Sequence, residues 1–221
     1  MPAVRPPVAP LRGRYISLEP LSPADLPELR TAIAHPRVFA GGFGGGSAGY
    51  RADRADRADF LAWAGEYLQF GRCNVYGVRI RGGAHDGALV GTTSLGDFDE
   101  ATESAHIGWT AYDPRVWGSA VNPEAKLLLF GLAFESGFGR VKIQADAANV
   151  RSRSAIERLG AVLEGVHRRD KRRADGAWRD TAIYSVLRTE WPAVRSGLHA
   201  RLDALGGEPI CYRNADEPVS A

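Results

Sequence analysis

Between Ala105 and Ala145 the hydrophobic period of the sequence changes twice. Ala105 to Tyr112 alternates as a strand does. Asn122 to Phe134 carries Leu128, Leu129 and Leu132 at helical spacing, opened by Asn122-Pro123 and stopped at Gly137, and Arg140 to Ala145 alternates again. A strand, a helix and a strand joined in this way form a crossover, which needs parallel neighbours in one sheet. On either side the signals are antiparallel. Upstream, Val75 to Arg81, Ala88 to Leu95 and Ala105 to Tyr112, broken at Gly82-Gly83 and Asp97-Phe98-Asp99, predict a meander. Downstream, Ala161 to Arg168 and Trp178 to Leu187 predict a hairpin. The expected fold class is α/β, a mixed and mostly antiparallel sheet of about seven strands flanked by helices.

Other elements fit round this frame. Arg14 to Glu19 reads as a short first strand, and Ser22-Pro23-Ala24-Asp25 as the capped start of a helix that ends near His35-Pro36. Gly41 to Gly49 is nearly all Gly, Ser and Ala; Gly44 to Gly49 formally fits GxGxxG, but no strand precedes it, so it reads as a loop. Arg51 to Asp59 repeats Arg-Ala-Asp, and its acid-before-base pair Asp53 and Arg57 predicts the exposed start of a helix running through Phe60, Trp63, Ala64, Tyr67 and Leu68. Arg151 to Leu159 predicts a helix ended by Gly160. Trp191, Val194, Leu198, Leu202 and Leu205 form one stripe of a C-terminal helical extension. The expected division is a flexible N-terminus over 1–12, one domain over 13–191, and a C-terminal helix with a loose tail over 192–221.

Composition excludes several function classes. The cysteines, Cys73 and Cys211, form no CxxC pair and read as reduced intracellular thiols, so no metal site is expected. Met1 to Pro10 has four prolines and no apolar run, and no segment approaches the ~20 apolar residues of a membrane span. With 28 basic and 26 acidic residues there is no whole-chain field for nucleic acid or an anionic membrane. A soluble, cytoplasmic protein is expected.

The chemically informative run lies between strand end and helix start: Arg115-Val116-Trp117-Gly118-Ser119-Ala120-Val121-Asn122, followed by Pro123-Glu124-Ala125. A loop of small residues there lets backbone N–H groups approach an anion, and the helix dipole adds positive charge, as a diphosphate cradle requires. Arg115 to Ala120 resembles the Q/R-x-x-G-x-G/A pattern of the GNAT superfamily of N-acetyltransferases. Trp117-Gly118 to Glu124-Ala125 is similar to the WGxGxxxEA of its RimJ/RimL type. Asn149-Val150-Arg151-Ser152 with Leu159-Gly160, and Glu164-Gly165, Asp180, Tyr184 and Glu190-Trp191, match further positions in register, so the resemblance covers roughly Tyr15 to Trp191. It implies the GNAT fold and transfer of an acetyl group from acetyl-CoA to a primary amine by direct attack in a ternary complex. Acetyl-CoA would lie against Trp109, Thr110, Ala111, the run Arg115 to Asn122, Asn149 and Ser152. Ser119 and Ala120 depart from the usual basic residue and second glycine, and Pro123 removes one N–H donor. Ile156 stands where many relatives have a tyrosine that protonates the leaving thiolate.

For catalysis, two-residue alternation predicts that His106, Gly108 and Thr110 share one face of their strand and that Ile107 and Trp109 share the other. The family commonly has a carboxylate at His106, so its imidazole is a candidate base, with Glu103 as runner-up. The resemblance makes Ser152 the candidate acid; its alternative role is a helix N-cap, which Asn149 could supply instead. Asn149 would otherwise bond the pantetheine or the sulfur. The basic run His167 to Arg173 reads as a solvated hairpin or as a clamp for the adenosine 3′-phosphate or an acidic acceptor. The acceptor is a protein N-terminal α-amine or a small amine; a homodimer is compatible with this reading. A catalytically silent acyl-CoA-binding regulatory module is the alternative.

Overall fold

A computed structural model of the chain describes residues 2–46, 56–173 and 175–215. In chain order the elements are β1 (Leu11–Arg12), β2 (Ile16–Pro20), α1 (Leu26–Ile33), α2 (Pro36–Ala40), α3 (Arg57–Tyr67), β3 (Asn74–Ile80), β4 (Leu89–Asp99), β5 (Ser104–Tyr112), α4 (Val121–Glu135), β6 (Arg140–Asp146), α5 (Val150–Glu157), β7 (Val162–Arg172), β8 (Trp178–Leu187) and α6 (Trp191–Asp203). They build one 8-stranded sheet in the order β1-β2-β3-β4-β5-β6-β8-β7. All neighbours are antiparallel except β5 and β6, the pair that α4 connects. The mixed sheet with a central crossover is as the hydrophobic periods predict. The eighth strand is β1, two residues too short to leave a periodic signal. The pair Asp53 and Arg57 cannot be followed, since Asp53 lies outside the described residues.

The sheet buries a core on each face. Leu129, Phe130 and Phe134 of α4, with Val194 and Leu198 of α6, cover Ile107, Val141 and Tyr184 on one side. On the other, Leu29 and Ile33 of α1, Phe39 of α2 and Phe60 and Ala64 of α3 cover Val75, Leu89 and Ala111. At the entry to α1 the Ser22 N–H and hydroxyl both donate to the Asp25 carboxylate, at 2.8 and 2.7 Å. Among the described residues no helix is long and apolar enough to cross a membrane.

The two ends are held more closely than their composition suggests. Val4 N–H donates to Ser136 O at 2.9 Å, the Arg5 guanidinium donates to Asn74 Oδ1 at 3.2 Å, and Ala3 is buried. Gly137, at φ 95°, is needed there, since a Cβ would come within 2.3 Å of Pro2 O. At the other end Ile210 is buried, the Tyr212 ring stacks on His85 at 3.9 Å, and Arg213 N–H donates to Arg115 O at 3.0 Å. The segment from Ile210 to Arg213 is therefore held against the body of the chain, and it braces the loop that precedes α4.

Helix α4 begins at Val121, one residue earlier than Asn122-Pro123 suggests, so Asn122 sits inside the first turn instead of capping it. Pro123 is tolerated there because first-turn N–H groups have no intrahelical partner. The helix carries two buried charges. Glu124 accepts the backbone N–H groups of Arg14, Tyr15 and Ile16 at 2.7, 2.7 and 2.8 Å, which pins α4 to the head of β2. Lys126 Nζ donates only to Thr93 and Thr110 hydroxyls, at 3.1 and 2.8 Å, and burial pushes its pKa down to about 7.

Two expectations follow. Glu124→Ala strands three N–H groups, two of them buried, and should lower the free energy of unfolding by about 3 kcal/mol or more in denaturant titration. For Lys126, the unfolded amine near 10.5 holds its proton over a range where the folded one near 7 does not, so stability rises with pH between those values. Lys126→Met should therefore raise the thermal midpoint at pH 6 to 7, by about 2–4 °C per kcal/mol gained, with a smaller gain near pH 10.

Candidate active site

β5 and β6 pair only from Ser104 to Ile107 and from Arg140 to Ile143. Beyond that point β5 continues against β4 and β6 against β8. The edge of β5 from Trp109 to Ala111 that would face β6 has no partner strand. This wedge opens into a cleft of about 580 Å³, lined by the loop before α4, by α5 and by the segment after α2.

At the opening the alternation of β5 breaks. Trp109 has φ 49°, and the register against β4 shifts there. Ala105 and Ile107 face α4 before the break, whereas Trp109 and Ala111 afterwards join the opposite core, and Thr110 turns to Lys126. The sequence expectation of His106, Gly108 and Thr110 on one face is therefore corrected. The bulge moves Trp109 to the side of His106, whose ring lies 5.3 Å from it.

His106 lines the cleft and is otherwise buried. Its Nδ1 stands 2.9 Å from Asp97 Oδ2, and Lys142 Nζ approaches the same carboxylate oxygen at 3.7 Å. With Asp97 accepting a hydrogen bond from Nδ1–H, Nε2 keeps the lone pair; it is buried, meets no hydrogen-bond partner among the described residues, and lies against Gly108. Burial pushes the His106 pKa below the ordinary 6.5, with Asp97 opposing incompletely. The ring is thus neutral at pH 7. The hydrogen bond from His106 in turn holds Asp97 below the usual carboxylate range. Asp97 has φ 47° and belongs to β4, where the sequence suggests a break between strands. Only the pairing of β4 with β5 brings it to His106. Glu103, the runner-up base, lies in the turn ahead of β5, where its carbonyl accepts from Gly139 N–H at 2.7 Å, and does not line the cleft.

Val116, Trp117, Gly118 and Ser119 of the loop before α4, and Asn122 in the first turn of α4, line the cleft. Among the described residues, the N–H groups of Gly118, Ala120 and Asn122 meet no acceptor. The Val121 N–H reaches Ser119 Oγ at 3.3 Å, and Ala120 and Val121 side chains are in the core. Arg115 also faces elsewhere: its guanidinium is held by Asp113 at 2.6 Å and lies 4.0 Å from the Tyr212 ring. The motif's basic residue is therefore structural, because it joins the loop to the C-terminal segment. Arg151 takes its place as the nearby cation, 3.6 Å from the Trp117 ring.

Across the cleft, Asn149 caps α5 by accepting the Ser152 N–H at 3.0 Å, and its amide nitrogen donates to Gly41 O. Both ends of the Asn149 amide are thus used within the chain, which makes it a positioning residue for the segment after α2. Ser152 is released from capping and lines the cleft beside Ile156, its hydroxyl making no hydrogen bond among the described residues. The basic run 167–173 divides. Lys171 lines the cleft, Arg173 is bonded to Asp146, and Arg169 and Arg172 lie over Trp178 at 4.7 and 5.2 Å.

The charge of the lining is uneven. Six basic side chains (Lys126, Arg151, Arg158, Lys171, Arg179 and Arg201) face it, against two carboxylates, Asp97 and Asp146. Asp146 is bonded to Arg173, and Asp97 to His106, so neither is free. Such a lining suits a polyanion. Among the described residues no group of three or more His, Cys, Asp or Glu could hold a metal.

Known proteins resemble this chain in sequence and in fold. The protein YdaF of Bacillus subtilis (strain 168), provisionally named a ribosomal N-acetyltransferase, is 36% identical over 109 residues, 48% of this chain and 58% of that protein. The chain therefore matches less than two thirds of that relative's length. A GCN5-related N-acetyltransferase from Brucella melitensis superposes with a TM-score of 0.80 at 27% identity, covering 96% of this chain and 95% of the other. A provisionally assigned acetyltransferase from T. thermophilus superposes at 0.76 with 33% identity, over 90% of this chain and 100% of the other. The Acetyltransferase (GNAT) domain profile matches residues 16–162, from β2 to the start of β7. By that match, and by the sheet and cleft it spans, this chain belongs to the GNAT acetyltransferase family.

Proposed function

We propose that the chain is an acetyl-CoA-dependent N-acetyltransferase of the RimJ/RimL type, acting in the cytoplasm on a peptide α-amine or a small amine of low basicity. One observation carries the donor: three unpartnered N–H groups at the start of α4 open into a cleft whose lining is six basic to two acidic. Gly118, Ala120 and Asn122 would hold the diphosphate from the backbone. The free edge of β5 at Trp109 to Ala111 would pair with the pantetheine amides and orient the thioester carbonyl. His106 Nε2 accepts the proton of the attacking amine, and Asp97 orients the ring. Ser152 Oγ, four residues from Ile156 on α5, donates a proton to the departing sulfur. The C–N bond forms as the C–S bond breaks, with the acetyl group as the only part transferred.

The acceptor follows from the absence of a free carboxylate among the described residues of the cleft and from the neutral base. A lysine costs roughly 4.6 kcal/mol to deprotonate at pH 7 and an α-amine about 1. A buried histidine of lowered pKa suits the second. The ribosomal name of YdaF points to the same class of acceptor. The unpaired thiols Cys73 and Cys211 accord with a cytoplasmic setting.

Acetyl-CoA should raise the thermal midpoint, and Gly118→Asp, which adds a side chain and a like charge at φ 79°, should abolish that shift. An unchanged shift in the variant would remove the assignment of the loop. Ser152→Ala should lower kcat roughly 10- to 1000-fold with the KM for acetyl-CoA nearly unchanged. Log(kcat/KM) should rise with pH through a limb below about 6.5 and lose that limb in His106→Gln. Asp97 raises the His106 pKa, so Asp97→Asn should move the limb to still lower pH. A shift with acetyl-CoA but no turnover on a panel of peptides and small amines would identify a silent acyl-CoA-binding module instead.

A further inference from the structure

Two arginines at the far end of the cleft have no role in the reaction described above. Arg158 follows the last turn of α5, and Arg201 belongs to the last turn of α6; both line the cleft, and Arg201 is the only α6 residue that does. Neither guanidinium makes a hydrogen bond or an ion pair among the described residues. Burial and the proximity of Arg158 push the Arg201 pKa down, so the two cations approach each other with no carboxylate between them. A helix dipole accounts for one cation at each helix end. It does not account for two of them converging on one cavity, which costs energy until an anion fills the gap. Arg158 also stands seven residues after Arg151 on α5, about 10 Å along the helix axis from the cation beside the Trp117 loop. The cleft thus carries cations at two levels of α5, Arg151 beside the loop before α4 and the pair Arg158 and Arg201 about 10 Å further along the helix axis.

We propose that Arg158 and Arg201 form a clamp for the 3′-phosphate of the acyl-CoA ribose, so that α6, outside the residues matched by the family profile, selects CoA over ligands lacking that group. This rests on the acyl-CoA reading of the cleft. It also reassigns the phosphate from the 167–173 run, whose cleft-facing member, Lys171, neighbours Asp97. A guanidinium binds a phosphate through two parallel N–H donors, and a dianion between two guanidiniums is held by both.

The test is calorimetric titration of the full chain with CoA and with dephospho-CoA, which differ only in the 3′-phosphate. Wild type should bind CoA about 10- to 100-fold more tightly than dephospho-CoA. Arg201→Ala and, separately, Arg158→Ala should each remove most of that preference, weakening CoA about tenfold or more while leaving dephospho-CoA unchanged. The second variant lies on another helix, so a local effect on α6 cannot mimic both. Equal affinity of wild type for the two ligands would overturn the clamp and leave the acyl-CoA site standing, as would an equal loss of both ligands in the variants. Failure of either ligand to bind wild type would overturn the acyl-CoA reading and the clamp with it.

Discussion

The divergence of β5 from β6 after Ile107 and Ile143 is the constraint on which the rest of the molecule depends. Inside a sheet a strand edge normally meets its neighbour, because unpaired backbone groups are costly away from water. Here the bulge at Trp109 turns β5 along β4, while β6 follows β8, and the opened edge faces a cleft. The groups proposed for the reaction reach the cleft from the walls of this wedge: His106 from β5, Gly118 from the loop after it, Ser152 from α5. Closing the wedge would pair the edge and remove the cavity together.

Helix α4 holds the wedge in shape and charges it. Glu124 binds three N–H groups at the head of β2, so the start of the helix cannot drift from the sheet. Gly13 permits this contact, since a Cβ there would lie 2.3 Å from the Glu124 carboxyl carbon. With the helix start fixed, the N–H groups that meet no acceptor among the described residues are held in place, as donors that need no reorganisation. Lys126, one turn further in, is the cost of a polar lining this deep: a lysine with only hydroxyl partners loses most of its preference for charge.

Much of the site is legible in sequence because it is local. The small residues of the loop, the Asn149 cap and the free Ser152 three residues on are features of short segments, and the described residues place them around one cleft. Where the reading fails, it fails on orientation. Arg115 fits a binding motif yet turns to Asp113 and Tyr212, because the C-terminal segment packs back on the loop. Glu103 is three residues from His106 but lies in the turn before β5. Alternation carries His106 and Gly108 correctly and misplaces Thr110, since one bulged residue reverses every side chain after it.

The amino-acid sequence by itself determined most of the elements, their order and the crossover, because hydrophobic period, caps and glycines act within a few residues. It also determined the loop of small residues ahead of α4, which depends only on a short segment of chain. The tertiary structure alone decided which charges meet. Asp97 reaches His106 through the β4 and β5 pairing, Lys126 loses its charge preference through the packing of α4 on the sheet, and Arg201 reaches Arg158 from a helix that begins 33 residues after Arg158. Each of these depends on distance and burial between segments remote in the chain, quantities that scale Coulomb energy and desolvation and that residue type alone does not fix.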